Sequence, residues 1–189
     1  MPETKHITRP TPYASSDDFR HVFNDDMNGL YLLSFLLTAD HEKAEQCFVS
    51  GLEDSVEGRP VFKEWARSWA RRAIIQNAVR AVNPRPRDGS SRSNSALVNN
   101  GTKLTTGRAE ITAVLGLEPF ERFVYVMSVL ERYSDQDCSL LLGCARRDVP
   151  PARTRAMQRI ASAMELLHEQ PSNSSPEKPG ATEALQFCA

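Results

Sequence analysis

The chain is poor in the residues that carry chemistry unaided. Its four cysteines and four histidines are scattered over 189 residues. Cys47, Cys138, Cys144 and Cys188 show no CxxC or Cys/His spacing of the kind that holds zinc, and they read as free thiols of a reducing cytosol. His6, His21, His41 and His168 form no ligand cluster, so no metal or other cofactor is expected. No acid, base and nucleophile are grouped as a hydrolase or transferase would need, and an enzyme is not the expectation. No apolar run reaches the ~18 residues of a membrane span. "MPETKHITRP" lacks the apolar core of a secretory signal. The expectation is a cytoplasmic protein with no membrane contact.

Enough remains to build a core, with 40% hydrophobic and 25% charged residues. The net charge of −1 conceals a marked segregation. Residues 1–58 carry four Lys/Arg against eleven Asp/Glu, residues 59–108 eleven against two, and residues 109–189 eight against eleven. A basic middle behind an acidic start suggests a polyanion surface. It is equally what two mutually attracting blocks would look like.

The periodicity is helical throughout. Residues 1–16, rich in Pro, Thr and Ser, read as a disordered leader. A helix is expected after Ser16, with Asp17 and Asp18 at its positive end. Leu30, Leu33, Leu36 and Leu37 mark the next helix, which Thr38 or Asp40 ends while capping a third. That third helix carries Ala44, Cys47, Phe48, Gly51 and Leu52 on one side. Pro60 suits the first turn of a helix over about 60–82. In that helix Phe62, Trp65, Trp69, Ala73 and Val79 form an apolar stripe, with both tryptophans expected in the core. Lys63, Arg67 and Arg71 make one polar row, and Ser68, Arg72, Gln76 and Arg80 another beside it.

Residues 83–107 read as a flexible basic linker between two small helical domains, 17–82 and 108–170. The second domain begins with Ile111, Val114, Leu115 and Leu117. Glu118-Pro119 opens a helix buried through Phe120, Phe123, Val124, Met127 and Leu130. Ser134, with Asp137 three residues on, caps another helix that Gly143 stops. Asp148 can cap the last, whose inner face is Met157, Ile160, Ala161, Met164 and Leu167. Residues 171–189 read as a disordered tail. The fold class is all-α, with a helix-turn-helix in the second domain.

Three stretches in this order carry a resemblance. "LYLLSFLLTADHEKAEQ", "VFKEWARSWARRAIIQNAVR" and "LGLEPFERFVYVMSVLERYSDQDCSLLLG" are similar to regions two and four of bacterial RNA polymerase sigma factors of the extracytoplasmic-function type. The similarity covers about 29–82 and 115–165. It implies a transcription-initiation protein that binds RNA polymerase core and promoter DNA. It places polymerase contacts at Glu45, Gln46, Cys47, Phe48, Val49 and Ser50, although Val49 and Ser50 stand where the family has Gln-Glu. Contacts to the melted minus-ten strand fall on Trp65, Arg67, Arg71, Arg72, Gln76, Asn77 and Arg80.

In the helix-turn-helix the DNA candidates are Arg146, Arg147, Arg153, Arg155 and Arg159. Such a helix meets base edges with its first residues. Here those are Val149, Pro150, Pro151 and Ala152, which offer no side-chain donor, and the prolines remove two backbone N–H groups. Phosphate contact through arginines is what remains to this helix, or the arginines are a solvated face. A second reading follows: a sigma mimic that binds a regulatory protein, such as an anti-sigma factor, without reading promoters.

Overall fold

The computed structural model describes residues 12–86 and 106–168. Most of the leader, the linker beyond residue 86 and the tail lie outside the described residues, as does the Leu167 side chain. What is described is all-α: α1 (Ser16–Asp25), α2 (Met27–Thr38), α3 (His41–Glu57), α4 (Ala66–Val82), α5 (Thr106–Leu115), α6 (Pro119–Tyr125), α7 (Asp135–Leu142) and α8 (Val149–His168). Among the described residues no helix is long and apolar enough to cross a membrane.

Local chemistry sets several helix ends. Ser15 and Asp18 form a reciprocal capping box, in which the Asp18 N–H donates to Ser15 Oγ and the Ser15 N–H to Asp18 Oδ2. Helix α2 stops where Ala39 enters the left-handed region at φ 55°, and Asp40 caps α3 by accepting from the Lys43 N–H at 3.0 Å. Pro119 occupies the first turn of α6. Ser134 caps α7, and Gly143 ends it at φ 62°.

Helix α4 departs from the expected outline. Residues 60–62 are not helical: Ala14 N–H donates to Val61 O at 2.7 Å and Lys63 N–H to Pro12 O at 3.0 Å, so the start of the described chain runs back along this segment. A 3₁₀ turn, Lys63–Trp65, follows before α4 begins at Ala66. The tighter turn puts Phe62 and Trp65 out of phase with the helix behind them. The buried face of α4 is therefore not aromatic but small and branched: Ala66, Ala70, Ala73, Ile74, Ile75 and Ala78. Small residues let α3 come close. A Cβ on Gly51 would sit 2.8 Å from Ile74 Cγ1, so glycine is required at that crossing. Trp69 is half-buried against a small cluster of Phe19, Val61 and Ala66, whereas Trp65 stands open to solvent, against the core placement expected of it.

The register of α8 also differs. Val149, Ala152 and Ala156 are fully buried and Ile160 packs behind them, while Met157 and Ala161, expected inside, are exposed. Leu130, expected in the core, is exposed at the end of a π turn, Val126–Leu130.

One continuous apolar cluster runs from α2 and α4 into α5, α6 and α8. It joins Leu30, Leu33 and Leu37 to Phe120, Phe123 and Met127. Arg122 lies at this junction. It is buried, and its guanidinium donates to the carbonyls of Leu37 (3.2 Å), Thr38 (3.4 Å), Leu115 (3.3 Å) and Leu117 (3.1 Å). The Leu37, Thr38 and Leu115 carbonyls lie at the C-terminal ends of α2 and α5, where helices leave acceptors unpaired and the dipole favours a cation, and Leu117 lies in the turn before α6. Burial pushes the Arg122 pKa below its ordinary value, with Glu118 opposing.

Candidate nucleic-acid interface

The segment before α4 builds an aromatic ladder. Tyr13 stacks on Phe62 at 5.0 Å between ring centroids, and Phe62 meets Trp65 edge-on at 5.3 Å. The three rings are 44%, 38% and 56% exposed. Three large rings held together in water are a poor use of apolar area unless something stacks on them.

Phe62 and Trp65 of this ladder line a cleft of about 730 Å³. Its lining brings Arg59, Phe62, Trp65, Arg71 and Arg72 from the α4 side together with Glu131, Arg132, Tyr133 and Asp137 from beyond α6. The π turn aims this second wall. Glu131 N–H bonds back to Val126 O and Tyr133 N–H to Met127 O, both at 2.9 Å, and between them Arg132 sits at φ 59°. A non-glycine residue in that region is uncommon and is held by its surroundings. Burial raises the Tyr133 pKa, partly offset by the nearby Arg72 guanidinium.

The expected strand-binding residues divide into two groups. Arg67, Gln76 and Arg80 are exposed and Arg72 lines the cleft. Arg71 is engaged inside the protein, where it meets Glu131 at two points and Asp26 at 2.8 Å. The Glu131 hydrogen bond is the main reason its pKa is raised. Asn77 is buried, donating to Asp54 Oδ2 at 2.9 Å and to Ala73 O at 3.0 Å. The acidic and basic blocks do pair: Lys63 with Asp18, Arg67 with Asp25, Arg71 with Asp26 and Arg80 with Asp54.

On α3, Glu45, Gln46 and Val49 face outward. Phe48 turns in and meets Phe23 edge-on at 5.3 Å, and Ser50 is half-buried. Helices α7 and α8 are joined by Gly143 and a 3₁₀ turn, Arg146–Asp148, in which Arg146 and Arg147 are exposed. The α8 arginines are held by carboxylates. Arg153 pairs with Asp135 at 2.6 Å, while Arg155 and Arg159 both reach the buried Glu121, at 2.8 and 3.0 Å. Val149 and Ala152, at the start of α8, point into the core.

Among the described residues the thiols are not activated. Cys47, Cys138 and Cys144 are free, and burial, then Asp135 and Asp137, push Cys138 up to about 11.

Sequence reasoning missed the second wall of the cleft, Glu131 to Tyr133. Three charged or aromatic residues just after an apolar helix were the one available hint. No family model, no curated protein and no solved structure matches this chain.

Proposed function

We propose that the protein is a sigma-like transcription-initiation protein, acting in the cytoplasm, that binds RNA polymerase core and holds melted promoter DNA along α4. The observation that carries this reading is the exposed ladder of Tyr13, Phe62 and Trp65 set beside an arginine-bearing helix. Aromatic faces next to cations hold single strands without reading sequence, each stacked base contributing ~1–3 kcal/mol. Arg72 and Gln76 lie at or near the surface, and Arg67 and Arg80 are exposed in surface pairs with Asp25 and Asp54 that a strand phosphate would replace. On this reading the helix-turn-helix has a lesser role. Arg146 and Arg147 touch phosphates from the turn, and base edges go largely unread because Val149 and Ala152 face inward. The outward-facing Glu45 and Gln46 support the polymerase contact, with Val49 beside them departing from the family's polar residue.

The test is co-purification with core polymerase together with run-off transcription from a promoter template. A complex and a transcript that both depend on the protein are expected; neither forming defeats the proposal.

The ion pairs of Arg153, Arg155 and Arg159 favour the second reading, a sigma mimic that engages an anti-sigma protein. Tight binding to such a domain without promoter affinity would select it, and promoter-specific transcription by the purified protein would exclude it.

A further inference from the structure

We propose that the cleft between the start of α4 and the Glu131–Asp137 segment is a binding site for a free nucleoside phosphate. This goes beyond promoter recognition and does not depend on it. The cleft's volume of about 730 Å³ lies in the range of small-molecule sites. Trp65 and Phe62 on one wall and Tyr133 on the other supply planar faces for a base.

Arg59, Arg72 and Arg132 all line the cleft. Among the described residues Arg59, Arg72 and Arg132 have no carboxylate partner, whereas Arg71 in the same cleft is neutralised by Glu131 and Asp26. With Arg71 and Glu131 paired, three arginines face one remaining carboxylate, Asp137, so the lining is net positive, and arginine forks match phosphate oxygens. Arg132 is turned toward this wall by its left-handed backbone at the end of the π turn, the same kind of helix stop that Ala39 and Asn83 make elsewhere in the chain. Asp137, which already accepts from the Ser134 hydroxyl, adds an acceptor suited to a ribose hydroxyl, so the lining fits a nucleoside phosphate better than bare phosphate. Because the two walls come from opposite sides of residues 87–105, the ligand bridges both helical groups.

The test uses the full chain, with ADP, adenosine and inorganic pyrophosphate titrated by calorimetry, and tryptophan fluorescence followed in parallel. ADP is expected to bind at least about tenfold more tightly than either fragment, with quenching that Trp65→Phe reduces, Trp69 also lining the cleft. Arg132→Gly keeps the backbone conformation and deletes the guanidinium. It should weaken ADP by about tenfold or more while leaving binding of an oligothymidylate, measured without ADP, within about twofold. An unchanged thermal midpoint of this variant establishes that it folds; if it does not fold, Arg72→Gln is read in its place against the same ADP criterion. The proposal is overturned if ADP binds no better than pyrophosphate, if neither binds at millimolar concentration, or if Arg132→Gly weakens ADP and the oligonucleotide equally. Failure of oligothymidylate to bind the unaltered chain counts against strand binding on α4 and leaves the ADP result standing on its own.

Discussion

Arg71 and Glu131, distant in sequence, meet in a two-point ion pair, Nε to Oε2 at 2.6 Å and Nη2 to Oε1 at 2.7 Å. The pair ties α4 to the segment after the π turn. It also draws inward an arginine that the sequence offers to DNA. Parallel guanidinium–carboxylate bonds are the strong form of this contact, and Glu131 is well covered. Arg71→Ala is expected to lower unfolding free energy by about 1–3 kcal/mol. Arg71→Lys, which cannot make the fork, should recover only part of it. Urea titrations of the three proteins measure both differences. A loss within error for Arg71→Ala would mean that the pair is merely a surface contact.

Arg122 binds the two helical groups by another route. Its four carbonyl acceptors lie at the ends of α2 and α5 and in the turn before α6, and no other donor to them is evident among the described residues once it is removed. Arg122→Met matches the length of the side chain and relieves the buried charge, yet leaves those carbonyls unpaired. The loss of donors outweighs the relief, and a destabilisation of roughly 2–4 kcal/mol is expected by denaturant unfolding. A neutral or stabilising result would show that desolvation of the charge dominates.

These two contacts mark what the sequence could and could not reveal. The caps at Asp40 and Ser134, the stop at Gly143 and the opening at Pro119 were legible because each rests on chemistry within four residues. The leucine face of α2 was legible because it is strongly periodic. The face of α4 was not. Hydrophobicity favours Phe62, Trp65 and Trp69 over alanine, but a 3₁₀ turn shifts the phase and close approach to Gly51 selects small residues. In α8 the bulky Met157 lost the core to Val149, Ala152 and Ala156, because α6 and α5 pack tightly there and Glu121 fixes the rotation through Arg155 and Arg159. Long-range charge pairs have no local signature. The candidate site suffered most, since its second wall, Glu131, Arg132, Tyr133 and Asp137, comes from beyond α6.

Trp65 separates stability from binding. It is the most exposed ring of the ladder, and its loss uncovers little. Trp65→Ala should change stability by less than about 1 kcal/mol while weakening a single-stranded oligonucleotide by roughly 5- to 150-fold, the value of one stacked base. Trp69→Ala should do the reverse, since Trp69 packs against Phe19, Val61 and Ala66. Fluorescence anisotropy with a labelled oligonucleotide, beside thermal melts, tests the pair. Equal loss of binding in both variants would speak against the ladder as the contact.

The Asp18 carboxyl gives a pH signature. The Ser15 backbone N–H, then the Ser15 hydroxyl and Lys63, hold it at about 2, below its ordinary 3.8. Its folded pKa is depressed, so its contribution to stability is complete above about pH 4 and is lost as pH falls toward 2. Carboxyl titration by NMR should find Asp18 near 2, and Ser15→Ala should raise it part of the way. Asp18→Asn should flatten the acid side of the stability curve. An Asp18 that titrates at its ordinary value would mean that the capping box does not persist in solution.

The α8 arginines offer the sharpest contrast between DNA contact and internal support. Glu121 is almost wholly buried, and Arg155 and Arg159 are the cations that meet its two oxygens. Removing both leaves a carboxylate without charge compensation, which costs far more than loss of two solvated arginines. The double variant Arg155→Ala, Arg159→Ala is expected to destabilise by roughly 2–5 kcal/mol. Adding Glu121→Gln should restore part of that, because a neutral amide no longer needs the cations. If α8 were instead a phosphate-binding face, the double variant would keep its stability and lose duplex affinity in a salt-dependent manner. Denaturant unfolding of the three proteins, with duplex binding measured at two salt concentrations, decides between these roles. A double variant as stable as the parent would remove the case for Glu121 as the anchor of this helix.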